Sequence, residues 1–238
     1  MTEKHKTLKS LNPYFVLFRF SVCAKREACL LEAGYDEETR HTIDIDANWY
    51  SDVPPSAEQM VESLQKAIFK NNIDLNVKLY RMYGEGRSAG FELADSNTDE
   101  VLFTMDVDAN RPVPPTKIYE VAGVNFCGVS PIQMIADKVA AISTDKVFRR
   151  IKDVVDLYYL SNVFDFDRTA VLVTLKNSDR KLENFNGFLK RAEELRHSYE
   201  KFRFAGDVNK PPFEEVYRAV KIYIKDILPK EKRRDHER

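Results

Sequence analysis

Apolar residues recur along this chain in two rhythms, a short one up to about residue 125 and a helical one after it. Tyr14 to Phe20 is an apolar, aromatic run of strand length, and the helix formers of Ala24 to Ala33 follow it. From Thr42 to Trp49, Ile43 and Ile45 alternate with Thr42, Asp44 and Asp46, which predicts a second strand. Pro54-Pro55 ends it, and Ser56-Ala57-Glu58-Gln59 reads as a capping box opening a helix with Met60, Leu64, Ala67 and Ile68 on its buried stripe. Asn76 to Tyr83, Ser88 to Ala94 and Glu100 to Asp108, separated by Gly- or Asn/Asp-containing turns, predict an antiparallel meander. The glycines of Gly84-Glu85-Gly86-Arg87-Ser88-Ala89-Gly90 lie between two strands. A dinucleotide-binding fingerprint must open a helix, so a hairpin turn is the better reading.

After the rigid Arg111-Pro112-Val113-Pro114-Pro115 comes one more predicted strand, Lys117 to Val121, and the rhythm changes near Gly128. Ser130-Pro131-Ile132-Gln133 joins a serine N-cap, a proline at the first helical position and a glutamine three residues past the cap. Further helices are predicted near 146 to 161, 167 to 177, 180 to 203 and 212 to 228, with a charged tail from Lys230. The expectation is an α+β protein: a mixed, mainly antiparallel sheet domain over residues 1–125, then an α-helical domain over 126–238.

Composition narrows the partners. The 238 residues hold 37 Lys and Arg against 38 Asp and Glu, so no global field draws the chain to nucleic acid or an anionic membrane, and any polyanion site must be local. No apolar run approaches a membrane span, and no apolar signal core follows the N-terminal residues. The expectation is a soluble, cytoplasmic protein without a membrane partner. Cys23, Cys29 and Cys127 fit no paired metal spacing and read as reduced thiols; His5, His41, His197 and His236 are scattered, which gives little support to a zinc site.

Candidate chemistry centres on acids. Strand alternation would send Asp44 and Asp46 to one surface, where two like charges are unfavourable unless a cation neutralises them, and hard oxygen ligands suit magnesium. Aspartates also cluster where strands run into loops, so the pair alone is weak evidence. Phe103-Thr104-Met105-Asp106-Val107-Asp108 repeats the arrangement, and Asp106 is a candidate third carboxylate, with an Asx turn before Asn110 as the alternative. In the helix after Ser130, Lys138 lies beside the stripe of Ile132, Ile135, Ala136, Val139 and Ile142, with Asp137 facing away. Two readings fit Lys138: a cation for a nucleotide phosphate in an interdomain cleft, or a lysine snorkelling from a packing edge. In Phe148 to Tyr158, Arg150 is expected to project into the apolar arc and to pair with Asp153 at i, i+3, leaving Arg149, Lys152 and Asp156 on a solvated face.

Taken together, Arg40-His41-Thr42-Ile43-Asp44-Ile45-Asp46, the later strand aspartate, Asp137-Lys138-Val139-Ala140-Ala141-Ile142 and Arg149-Arg150-Ile151-Lys152-Asp153-Val154-Val155-Asp156 resemble the AbiEii nucleotidyltransferase toxin family, over roughly residues 14 to 165. The resemblance implies a polymerase-β-like nucleotidyltransferase domain with a helical domain behind it. It further implies Mg2+ and a nucleoside triphosphate (NTP) as cofactor and substrate, an RNA acceptor such as transfer RNA, and a cognate antitoxin encoded nearby in a phage-defence pair. By the same resemblance Asp44, Asp46 and, more loosely, Asp106 hold metal. The resemblance further implies that Lys138 contacts the nucleotide and that Asp153 completes the helical motif, and Ser21, Arg40 and Arg150 are further candidates to bind the nucleotide. Where the family carries Gly-Gly or Gly-Ser about twenty residues before the paired aspartates, this chain reads Phe18-Arg19-Phe20-Ser21-Val22-Cys23; Ser21 is the candidate to retain part of that role, and Arg19 or Lys25 to supply charge. The alternatives are a degenerate nucleotide- or RNA-binding relative, or an adenylyltransferase acting on a protein or small molecule.

Overall fold

The computed structural model describes residues 22–24, 44–49, 53, 55–85, 88–109, 115–121, 124–203 and 210–229. Among these, residues up to Met134 gather into one compact unit and those from Ile135 onward into a second. The predicted strand Tyr14 to Phe20, residues 25–33 of the helix expected after it, Thr42 and Ile43, Arg111 to Pro114 and the tail from Lys230 lie outside the described residues.

The first unit is built on strands β1 (Val22–Ala24), β2 (Asp44–Trp49), β3 (Leu75–Tyr83), β4 (Ser88–Asp95), β5 (Val101–Asp108), β6 (Thr116–Val121) and β7 (Val124–Val129), with helix α1 (Ala57–Lys70) between β2 and β3. They form one sheet in the order β3-β4-β5-β2-β1-β7-β6. The meander β3-β4-β5 and the pairs β1-β2 and β6-β7 are antiparallel, whereas β2-β5 and β1-β7 are parallel. The sheet is therefore mixed and mainly antiparallel. Strand β7 was not expected: Asn125 and Gly128, residue types depleted in strands, break its apolar pattern, and its pairing with β6 and β1 overrides them.

Strand alternation places Ile45 and Ala47 of β2, Ala89, Phe91 and Leu93 of β4, and Phe103, Met105 and Val107 of β5 in the core. The capping box forms as expected: Ser56 N–H donates to Gln59 Oε1 at 2.8 Å, and Gln59 N–H to Ser56 Oγ at 3.3 Å. Helix α1 packs on β3 and β4 and buries Met60, Leu64 and Ile68, each such side chain contributing about 1.5–3 kcal/mol. The same helix closes part of the edge of β3. Gln65 Nε2 donates to Leu75 O at 3.1 Å and its Oε1 accepts from Val77 N–H at 2.8 Å, which satisfies backbone groups that an edge strand otherwise leaves open.

Helix α2 (Pro131–Ser143) starts at the predicted cap, with Gln133 N–H donating to Ser130 Oγ at 3.3 Å. The second unit continues with a 3-10 turn (Val147–Arg150), α3 (Ile151–Leu160), α4 (Arg168–Asn177), α5 (Asn186–Lys190), α6 (Ala192–Lys201) and α7 (Phe213–Tyr223). No described helix is long and apolar enough to cross a membrane.

The single helix expected over 180–203 is instead an extended lead-in followed by α5 and α6. The lead-in is pinned to the end of α2: Glu183 N–H donates to Ser143 Oγ at 2.9 Å, and Phe185 N–H to Ser143 O at 2.9 Å. Phe185 takes a left-handed φ of 59° while its ring is buried, so the backbone turns there and starts a new helix. Gly187 lets α5 approach the α2–α3 connection: a Cβ at this position would stand 2.7 Å from Asp145 O and 2.8 Å from Thr144 O. Backbone carbonyls cannot swing aside as a side-chain tip can. Gly187→Ala is therefore expected to lower the stability of the helical unit by about 1–3 kcal/mol, measured by chemical denaturation followed through helical circular dichroism.

Candidate active site

The residues singled out in the sequence fall in both units, Asp44, Asp46 and Asp106 in the first and Lys138, Arg150 and Asp153 in the second. In the first, β2 and β5 run in the same direction with Asp46 opposite Asp106 and Asn48 opposite Asp108. In-register residues of neighbouring strands share a face, so the Asp46 and Asp106 carboxylates emerge side by side, opposite to the core-facing Ile45, Ala47, Met105 and Val107. Asp44 stands two residues earlier in β2, its Cα paired with Thr104; its side chain lies outside what is described, as do Ser21 and Arg40.

Strand β3 supplies a residue that the sequence reading missed. Arg81 Nε donates to Asp106 Oδ1 at 3.3 Å, and its Nη2 donates to Asp106 Oδ2. The ion pair is part-exposed, with Arg81 at 50% and Asp106 at 25% side-chain exposure. Between them in the sheet lies Gly90, paired with Arg81 on one side and Asp106 on the other. Tyr80 and Tyr83 flank the guanidinium, whose carbon lies 5.0 Å and 5.5 Å from their ring centroids. The Tyr83 phenol is pushed up to about 12, first by burial and then by the charge of Asp106, with Asp108 and Asp46 adding to it and Arg81 opposing. That phenol therefore senses the negative field of all three carboxylates.

Behind this row, Ser88 Oγ donates to Asp108 Oδ1 at 3.0 Å. Asn48 is 4% exposed, and its Oδ1 has no hydrogen-bond partner. Among the described residues no three His, Cys, Asp or Glu side chains come together as a metal-holding group. The donor chemistry of the in-register pair nevertheless fits a hard divalent ion: two carboxylates on adjacent strands supply anionic oxygens from one face.

In the second unit, Lys138 of α2 is 3% exposed and donates from Nζ to Asp153 Oδ1 at 2.8 Å and to Asp156 Oδ2. Its charge is thus held between two carboxylates of α3. Asp156, expected on a solvated face, is fully buried, because the cation that allows this comes from another helix and not from a neighbour on the helical wheel. Arg150, expected to project into the apolar arc, is half exposed: it ends the 3-10 turn, so the α-helical phase that would point it inward starts only at Ile151. Its Nη1 lies 4.0 Å from Asp153 Oδ2, which has no hydrogen-bond partner. Asp137, expected to face away, is part-exposed beside Arg180 at 3.5 Å.

Sequence reasoning could not have found Arg81 by periodicity. Strict alternation from Val77 and Leu79 sends it to the core face, and the signal that changes its face is tertiary. Asp156 was legible only as a carboxylate at i+3 from Asp153, awaiting a cation.

The Lys138 network makes a stability claim that can be checked without substrate. Lys138→Met leaves two buried carboxylates without their cation and is expected to cost about 3–5 kcal/mol. Lys138→Met with both Asp153→Asn and Asp156→Asn should recover much of that loss, measured by urea denaturation at neutral pH.

Comparison with known proteins bears on the family and the fold. Residues 28–219 match the family described as nucleotidyl transferase AbiEii toxin, type IV toxin–antitoxin system. Curated proteins give no match in sequence. Among solved structures, the chain is similar to MenT4, the nucleotidyltransferase toxin Rv2826c from Mycobacterium tuberculosis H37Rv, at 15% identity and a TM-score of 0.55, covering 92% of this chain and 83% of that one. A weaker likeness is to an antigenic nucleotidyltransferase-like protein from Paracoccidioides brasiliensis, at 15% identity and a TM-score of 0.45, covering 66% of this chain and 78% of that one. The structural likeness at this identity speaks for the fold, and the family match, spanning both units, carries the assignment: the chain belongs to the AbiEii nucleotidyltransferase toxin family.

Proposed function

We propose that this protein transfers a nucleotide from an NTP to an RNA acceptor, foremost the end of a transfer RNA, with magnesium as its cofactor, and that it is the toxin of a phage-defence pair whose antitoxin is encoded nearby. The observation that carries the reading is the register of β2 on β5, which sets Asp46 beside Asp106 on the polar face of the sheet of a family nucleotidyltransferase. In this reading residues 1–125 hold the catalytic carboxylates and 126–238 the helical motif. Asp44, Asp46 and Asp106 are the metal ligands. A bound magnesium ion would offset the charge of the triphosphate and of the departing pyrophosphate.

The remaining roles fall to the chain's own side chains. Two neighbouring strands present the carboxylates, so their oxygens are held by the sheet and need little reorganisation when substrate arrives. Ser21 and Arg40 are assigned to the nucleotide phosphates, together with Arg150, whose guanidinium is half exposed. Lys138 serves the nucleotide through Asp153, which it holds in place at the start of α3. With no global positive field, an RNA backbone requires a local cationic surface. Lys146, Arg149, Arg150 and Lys152 provide four cations within one short stretch, three of them exposed.

The test is transfer of label from each NTP in turn to total RNA in the presence of Mg2+. Asp46→Ala and Asp106→Ala are each expected to lower transfer at least about a hundredfold while the far-ultraviolet circular dichroism is retained. Transfer that survives both substitutions would contradict the site. If no NTP gives transfer but the nucleotide still binds, the protein is a non-catalytic binding relative.

A further inference from the structure

Three separate features bring the Arg81 guanidinium to Asp106. The first is a β-bulge. The register of β3 on β4 runs Lys78↔Glu92 and Leu79↔Phe91, then skips Tyr80 and resumes at Arg81↔Gly90. Leu79 pairs with the fully buried Phe91 on the core face, and with Tyr80 in regular register Arg81 would fall opposite Ala89 and share that face. The bulge moves it to the face of Asp46 and Asp106. The second is Gly90. A Cβ there would stand 2.8 Å from both Arg81 Cγ and Nε and 2.6 Å from Tyr80 Cε1, so only glycine leaves a path across β4 to Asp106. The third is the pair of tyrosine rings at 5.0 and 5.5 Å, which flank the guanidinium.

We propose that Arg81 is a positioning residue of the carboxylate site: it is the resident counter-ion of Asp106, stabilising the Asp46–Asp106 pair when no divalent cation is bound and competing with that cation for Asp106. The proposal rests on the reading of Asp46 and Asp106 as the metal-binding pair. Two adjacent carboxylates repel, and the guanidinium relieves that repulsion through both of its hydrogen bonds. A divalent ion binding the pair meets a potential already partly neutralised, so the arginine sets the cation concentration at which the site fills.

The test is titration of the full chain with Mn2+ alone, followed by electron paramagnetic resonance at fixed ionic strength, on the wild type and on Arg81→Met, Arg81→Lys, Asp46→Asn, Asp106→Asn and the Arg81→Met/Asp106→Asn pair. Arg81→Met is expected to bind the Asp46-dependent ion about three- to tenfold more tightly than the wild type. Arg81→Lys, which keeps the charge, should remain near the wild type, and in the Asp106→Asn background the Arg81→Met gain should disappear. Gly90→Ala, which displaces the guanidinium without deleting it, gives an independent reading and should shift affinity in the same direction, so the outcome does not depend on one variant folding. Equal or weaker binding by Arg81→Met and Gly90→Ala, with binding still dependent on Asp46, would overturn this role for Arg81 alone. Absence of any Asp46-dependent binding would overturn both this role and the metal-binding reading beneath it.

Discussion

Two acidic strands hydrogen-bonded side by side and running the same way make an electrostatically unfavourable arrangement, and the first unit is organised around holding it. The β2–β5 pairing sets Asp46 against Asp106 and Asn48 against Asp108, while Ile45, Ala47, Met105 and Val107 on the reverse of the same strands lie in the core. Slipping the register by one residue would bring the carboxylates into the apolar layer and the methyl groups into water. Core packing thus fixes where the charges stand, and the charges explain their neighbours: an arginine on Asp106, a serine on Asp108, and a tyrosine whose phenol resists ionisation.

The helical unit meets the same problem by a different route. Lys138 lies between Asp153 and Asp156 with almost no access to water, so the network ties α2 to α3 through a buried cation. A buried ion cluster of this kind is expensive to assemble and more expensive to break, which makes it a device for fixing geometry more than a source of stability. The carboxylate pair of the sheet is part-exposed and within reach of small ions; the helical network is closed. The first is suited to chemistry and the second to placement.

Much of this was legible in the sequence, for reasons that differ element by element. The Ser56–Gln59 box and the Ser130–Pro131 start were readable because capping is local, and both formed where expected. Strand β2 and the meander were readable from alternation, and Asp106 from its repeat of the acidic pattern. Strand β7 was not, because its sequence is a poor strand and only its partners make it one. Arg150, Asp156 and Arg81 were misjudged or missed for a common reason. A helical wheel or a two-residue alternation assumes an unbroken element, and here a 3-10 turn, a cation from another helix and a bulge at Tyr80 each changed the phase or the partner.

The central claim is that the in-register carboxylates of β2 and β5 are the cation site of this nucleotidyltransferase. Paramagnetic broadening by substoichiometric Mn2+ in amide NMR spectra of the full chain tests it most directly, since the effect falls steeply with distance from the ion. The account predicts that amides of residues 46–48 and 105–107 broaden first and that Asp46→Asn removes the effect. Broadening that begins elsewhere, or that persists unchanged in Asp46→Asn, would contradict it.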